Sequence, residues 1–275
     1  MELNPSGNEY YTFPSKYYAE PFEILPRLYY VGDQRVCMHL IDTGDGLILF
    51  DAGFPHAIHL LTESIYRIGY NPKDIRYLIL SHGHFDHTGA AAEYRTLYGV
   101  KTCIEKADYE MFRDRPELAL YSHGHTPYAD VPPIDIPLED GARVALGDIE
   151  IECVSTPGHT MGVMSFFFQM DGHCVGYFGG IGFNTLATRY YKEFNLEPNT
   201  RDLMRASFDK VYDRPVDVML GNHPGQNGTF KKYEAMKTGT AEGNPFVHAG
   251  EWQHRIDHWR AGLDELDVKD PLPKE

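Results

Sequence analysis

The run Ser81-His82-Gly83-His84-Phe85-Asp86-His87-Thr88-Gly89 places three imidazoles and a carboxylate within six residues. Neutral imidazole nitrogen and carboxylate oxygen are the donors a borderline cation such as zinc prefers. Donors at i, i+2, i+4 and i+5 are too many for one tetrahedral ion that also keeps a position open for water, so the spacing predicts two metals. Packing alone gives no account of the cluster, because buried imidazoles and carboxylates without partners are costly.

Such donors need a rigid edge to hold them. The motif follows an apolar strand at 75–80 and precedes an Ala-rich helix at 89–98. Upstream, strands are expected at 24–31, 36–42 and 47–50, the last two joined by a Gly44-Asp45-Gly46 turn, and a helix at 56–68. Residues 116–137, rich in Pro, Tyr and His without a clear period, read as a long loop of the kind that often carries function. A second set of strands is expected at 143–146, 149–155, 163–169 and 174–178, separated by Gly and Asp turns. A helix at 201–211, a strand at 216–220 and a helix at 247–266 complete the chain. Two β-rich halves, each with helices attached, predict an α/β protein built as a four-layer αββα sandwich, a single domain over 1–275 with ligands in strand-end loops along one edge.

Composition narrows the function. Hydrophobic residues make up 42% of the 275, enough for a large core, and a formal charge of −15 repels a phosphate backbone, so a small-molecule substrate is expected rather than nucleic acid. The first thirty residues show no basic start followed by an apolar run, and no stretch is long enough to span a membrane, which predicts a cytoplasmic protein without membrane contact. Cys37, Cys103, Cys153 and Cys174 lack CxxC spacing and read as buried thiols, in keeping with a reducing compartment. No Walker loop or dinucleotide fingerprint occurs.

Two further histidines stand in strand-end turns, in Thr156-Pro157-Gly158-His159-Thr160 and in Asn222-His223-Pro224-Gly225. Together with the His82-x-His84-x-Asp86-His87 motif and the Asp51-Ala52-Gly53 turn, these segments resemble the metallo-β-lactamase superfamily, in that family's order, over roughly residues 22–240. The resemblance implies that one zinc takes His82, His84 and His159, that a second takes Asp86, His87 and His223, and that Asp51 supports them. It also implies a bridging hydroxide as nucleophile, available at neutral pH because two dications lower the pKa of a shared water, with Asp86 orienting it.

Two departures refine the resemblance. Quorum-signal lactonases, glyoxalase II and the RNA-processing nucleases of the superfamily place a metal-bridging Asp after the strand that follows the third His; here Gly176-Tyr177-Phe178-Gly179-Gly180-Ile181-Gly182-Phe183-Asn184 has no carboxylate. That pattern is most similar to the third subclass of metallo-β-lactamases, with an Asp-His-His second site. In that subclass small hydroxyl residues help bind the lactam carboxylate, whereas the counterparts here are Gly180 and Gly182.

The expected activity is therefore metal-dependent hydrolysis of a cyclic or activated amide or ester, β-lactamase-like, with Asn184 or Tyr191 as a further oxyanion donor. A lactonase, or another ester or thioester hydrolase, uses the same site; an iron-dependent oxidoreductase needs carboxylate-rich ligation; a non-catalytic metal-binding protein would have lost ligands. Other signals are weaker. Ser122-His123-Gly124-His125 repeats the opening of the motif without its Asp and reads as a polar loop able to cover the metals. His254 and His258 have zincin spacing, but Arg255 stands where a catalytic Glu is needed, so an amphipathic terminal helix is expected. His56 and His59 read as surface positions on a helix. The aromatics Tyr10, Tyr11, Phe13, Tyr17 and Tyr18, and Tyr190, Tyr191 and Phe194, read as packing at a core edge, with a cleft or a homo-oligomer contact as the other use.

Overall fold

A computed structural model describes residues 5–121 and 129–272. Seven strands form the first sheet in sequence order: β1 (Phe22–Leu25), β2 (Leu28–Tyr30), β3 (His39–Asp42), β4 (Leu47–Phe50), β5 (Ile75–Ile79), β6 (Lys101–Glu105) and β7 (Ile136–Leu138). The first four pair antiparallel, and β4 to β7 pair parallel. The second sheet contains β8 (Arg143–Leu146), β9 (Ile149–Ser155), β10 (Met164–Met170), β11 (His173–Tyr177) and β12 (Val218–Leu220), in the order β12-β11-β10-β9-β8. Only its β11–β12 pair is parallel.

Period-2 alternation decides which layer each side chain joins. From β4, Ile48 and Phe50 enter the core between the sheets, while Leu47 and Leu49 pack outward against Leu61 and Ile65 of the helix Ile58–Arg67 and Tyr94 of the helix Ala91–Tyr98. From β10, Met164, Phe166, Phe168 and Met170 face the first sheet, and Phe167 faces outward. The outer face of the second sheet is covered by Met204 and Phe208 of the helix Thr200–Val211 and by Trp252, Ile256, Trp259 and Leu263 of the helix Glu251–Lys269. Each such large apolar side chain contributes about 1.5–3 kcal/mol on burial. Two sheets with helices on both outer faces are the expected αββα sandwich.

Several expectations change in detail. The strand expected at 24–31 is a hairpin: Arg27 takes φ +68 after Pro26, and Leu25 pairs with Leu28. The loop expected at 116–137 opens with a 3-10 turn at Pro116–Ala119 and ends inside β7, which extends the parallel sheet beside β6. The segment Ser122-His123-Gly124-His125 lies outside the described residues. The helices Lys106–Asp114, Thr188–Phe194 and Thr229–Thr238 were not anticipated. Cys37, Cys103 and Cys153 are buried free thiols; Cys174 is free and half-buried. His254 and His258 are exposed on the terminal helix, away from its buried Trp252, Ile256 and Trp259. His56 is not a surface residue: its ring packs against Tyr10, Tyr11 and Phe54 at centroid distances of 4.8, 4.7 and 5.4 Å. Tyr10 is buried and its hydroxyl donates to Asp33 at 2.6 Å, whereas Phe13 is exposed. Among the described residues no helix is long and apolar enough to cross a membrane.

Candidate metal centre

Parallel pairing brings strand C-termini to one edge, where α/β proteins place their ligands. Asp51 follows β4, the run 81–87 follows β5, His159 follows β9, the glycine-rich run follows β11 and His223 follows β12. The two sheets meet there through Met164 N donating to Ser81 O at 3.0 Å and Cys37 N to Asn222 O at 3.0 Å. Within the motif, Asp86 and His87 lie in one helical turn, Phe85–Thr88, while His84 precedes it in extended backbone and His82 lies in the bend before that.

One donor group is formed by His82, His84 and His159, all buried, with ligand atoms within 4.8 Å of one another. His82 Nδ1 lies 2.7 Å from Gly179 O, and His159 Nδ1 lies 2.6 Å from Gly182 O. A carbonyl only accepts, so both rings carry their proton on Nδ1 and turn a bare Nε2 lone pair inward. These two atoms lie 3.1 and 3.0 Å from His84 Nδ1. One hydrogen on His84 Nδ1 cannot serve both, and His84 Nε2 has no partner among the described residues. A cation at the centre satisfies all three lone pairs, so the residues fit a metal. Burial, and the other imidazoles nearby, lower the pKa of His82 and His84 well below the usual value, and burial lowers His159 to about 4, which leaves all three neutral as ligation requires.

The second group adjoins the first. Ligand atoms of His82, Asp86 and His87 also lie within 4.8 Å of one another, and His223 Nε2 is 3.3 Å from His87 Nε2 and 3.5 Å from Asp86 Oδ2. His223 Nδ1 donates to Arg35 O at 2.8 Å, again leaving Nε2 bare. Burial works to lower His87, but Asp86 and Asp51 on either side raise it to about 10. Burial would raise Asp86, yet His87 and His223 hold it well below the usual carboxylate range. The point between these side chains favours positive charge, which a bound dication supplies as well as a proton does. Among the described residues of the run after β11, no side chain offers a bridging carboxylate.

Asp51 orients this assembly from beneath. It is buried at φ +61, a left-handed conformation that Asp tolerates better than most residues. Its carboxylate accepts from Ser81 N at 2.7 Å, Ser81 Oγ at 2.8 Å, His87 Nδ1 at 2.8 Å and Tyr177 OH at 2.5 Å. Carboxylates placed this way fix the tautomer and aim of a metal-binding His.

A residue the sequence reading missed ties the loops together. Asp108, fully buried on the helix Lys106–Asp114, accepts from Gly83 N at 2.6 Å, Thr160 Oγ1 at 2.7 Å and Gly162 N at 2.9 Å. One carboxylate thus joins the backbone between His82 and His84 to the turn that carries His159. The approach is so close that a Cβ on Gly162 would lie 2.5 Å from Asp108 N and Cγ. Burial pushes the Asp108 carboxyl up to about 6 against the pull of these three donors. An Asp near the start of a short charged helix carries no pattern of its own, so only the fold shows it.

Above the donors lies a cavity of about 220 Å³ lined by the first-group histidines, Phe85, Asp86, Leu120, Ile181, Asn184, Asn222, His223 and Gln226. Asn184 is exposed at its rim, where an amide donor can meet a carbonyl oxygen. Tyr191 is not in this lining: it is buried, with its hydroxyl 2.6 Å from Thr200 Oγ1. One residue is about 100° on a helix, and the neighbouring Tyr190 is the one that lines a cavity, the second one described below. Gly182 is closed to a serine: a Cβ there would lie 2.6 Å from His159 Cε1 and from Asn184 Oδ1.

The fold and this donor arrangement define a class of proteins, and the chain belongs to the metallo-beta-lactamase superfamily, whose pattern matches residues 32–175, just over half its length. Its structural neighbours include BJP-1, a subclass B3 metallo-beta-lactamase of Bradyrhizobium japonicum, at 27% identity and TM-score 0.79 over 93% of this chain and 97% of that one. The native FEZ-1 metallo-beta-lactamase from Legionella gormanii is 25% identical with TM-score 0.78, over 91% and 97%. The subclass of BJP-1 agrees with the third-subclass resemblance seen in the motifs. An N-acyl homoserine lactonase of Bacillus sp is 25% identical over 162 residues, 50% of this chain and 60% of its own. The chain spans about half to two thirds of the length of the curated relatives it matches.

Proposed function

We propose that the chain is a dinuclear zinc hydrolase that opens a cyclic or activated amide or ester of a small molecule, in the manner of a β-lactamase. The observation that carries this reading is the pair of adjoining donor groups, three imidazoles beside Asp-His-His without a bridging carboxylate, under an open cavity. His82, His84 and His159 would hold one ion, and Asp86, His87 and His223 the other. When bound, two zinc ions supply Lewis acidity at a carbonyl and a nucleophile from water at neutral pH.

The chain's own residues do the positioning. Asp51 holds the His87 proton on Nδ1 and so keeps Nε2 aimed at Asp86 and His223. Asp86, ionised and lining the cavity, accepts a hydrogen bond from water and orients it. Asn184 offers an amide N–H to the oxygen on which charge develops. Phe85, Leu120 and Ile181 keep the carbonyl in an apolar wall, where those electrostatic interactions are stronger than in water.

A second reading, hydrolysis of a neutral lactone, is favoured by a specific observation. The described cavity lining has no Lys or Arg, and Gly182 cannot take a hydroxyl side chain without entering the His159 ring. A β-lactam carboxylate would thus find no charged anchor, and a lactone needs none. Metal analysis together with a panel of β-lactams, homoserine lactones and aryl esters, with and without chelator, tests both. Two zinc ions per chain and turnover lost in His84→Ala and Asp86→Asn are expected; two bound ions with no turnover of any ester, thioester or lactam overturns the hydrolase reading.

A further inference from the structure

A second cavity, of about 340 Å³, lies on the far side of His159. His159 lines both cavities, and Thr185 of the second directly follows Asn184 of the first. Its walls are largely apolar: Met111 and Leu118 on one side, Tyr190 and Leu196 on the other, with Met161 half exposed. Its charged lining is mostly acidic, with Glu110, Glu197 and Asp114, the last paired with Arg113 at 2.6 Å. Arg115, the only basic residue in the described lining, is engaged by Glu117 at 2.5 Å and by the Phe194 carbonyl at 2.7 Å.

We propose that this cavity is the subsite for an apolar, carboxylate-free arm of the substrate, on the first-group side of the metal centre. The inference rests on the hydrolase reading above and adds to it a substrate class: an acyl compound whose scissile carbonyl sits at the metals and whose chain extends past His159. Three features argue for that occupant. The His159 ring shared with the first donor group puts the cavity next to the place where a carbonyl would sit. Its volume admits roughly ten water-sized groups at about 30 Å³ each, enough for a medium-length alkyl chain. Its acidic lining repels a terminal carboxylate while tolerating a neutral or cationic end. An apolar body with a few polar groups at one end is the usual make-up of a small-molecule site.

The test has a binding arm and a turnover arm, both on the zinc-loaded protein. In the first, straight-chain primary amides from butanamide to octanamide are titrated calorimetrically, alongside an octanamide analogue carrying a terminal carboxylate. Affinity is expected to rise about fourfold per added methylene, to fall at least tenfold with the terminal carboxylate, and to lose its length dependence in Leu196→Trp and Leu118→Trp, which fill the cavity from opposite walls. In the second, kcat/KM for 4-nitrophenyl esters from acetyl to octanoyl should climb in the parent, and the octanoyl-to-acetyl ratio should fall toward one in both variants. Affinity independent of length, or unchanged by either tryptophan, overturns the subsite whatever the esters do. Length-dependent amide binding without hydrolysis of any ester, thioester, lactone or lactam leaves the subsite standing and overturns the hydrolase reading instead.

Discussion

Replacing Asp108 by Asn separates what this carboxylate does for the metal loops from what it does for stability. The side chain accepts three hydrogen bonds, and Asn keeps one acceptor oxygen but turns an NH2 toward one of the donors. The change removes a charge-assisted bond of about 1.5–3 kcal/mol and leaves a buried donor unpaired at about 1–3 kcal/mol more. It also removes a buried charge. The carboxyl is raised from 3.8 to about 6, and that shift corresponds to about 3 kcal/mol at neutral pH. A group raised in this way contributes stability that is complete below about pH 4 and lost as pH rises through about 6. The losses together, about 2.5–6 kcal/mol, exceed the roughly 3 regained by at most about 3 kcal/mol at pH 7, so the melting temperature of the zinc-free variant should fall by less than about ten degrees, and its pH slope between 4 and 6 should flatten. The loops carrying His82, His84 and His159 nevertheless lose their common tie, so zinc affinity, read by competition with a chromophoric chelator, should fall about 10- to 100-fold. A variant that loses ten degrees or more while binding zinc as before would refute the reasoning, because Asp108 would then support the fold and not the centre. Unchanged affinity with an unchanged melting curve refutes it equally.

His223→Ala should lower bound zinc from about two ions per chain to about one, because it removes one donor of the second group and touches none of the first; elemental analysis of the purified variant decides it. His39 is buried, its Nε2 3.1 Å from Gly221 O, and burial lowers its pKa to about 4. Its neutral form contributes stability present above about pH 6.5 and lost as pH falls toward 4, about 3 kcal/mol in all. Urea denaturation of zinc-free protein at pH 7 and pH 4 should show a correspondingly smaller acid loss in His39→Gln, and an equal loss in both proteins would contradict the assignment.

Most of the framework was legible before any coordinates. The αββα layering followed from alternating apolar strands in two clusters, and the donor motif at 82–87 from residue types no packing argument explains. What was missed has physical causes. Two residues, Pro26 and Arg27, reverse the chain inside one apolar run, and periodicity cannot see a reversal that short. The helix Lys106–Asp114 buries only Asp108 and Phe112, too little to leave an apolar stripe. The strand β7, Ile136-Pro137-Leu138, is three residues long and contains a proline, and it exists because β6 presents an open parallel edge to it.

The residue types that can hold two cations, and the order in which they occur, are properties of the chain alone, because the donor atoms belong to the side chains themselves. Whether those atoms converge is another matter. His82 and His159 are 77 positions apart, and the carbonyls of Gly179 and Gly182 that set their tautomers belong to a run whose glycines suggested only missing side chains. Tyr190 rather than Tyr191 faces a cavity because of a rotation of one helical residue, and Asp108 matters because two loops meet at its carboxylate. Such outcomes depend on distances between segments far apart in sequence, which only packing of the two sheets sets.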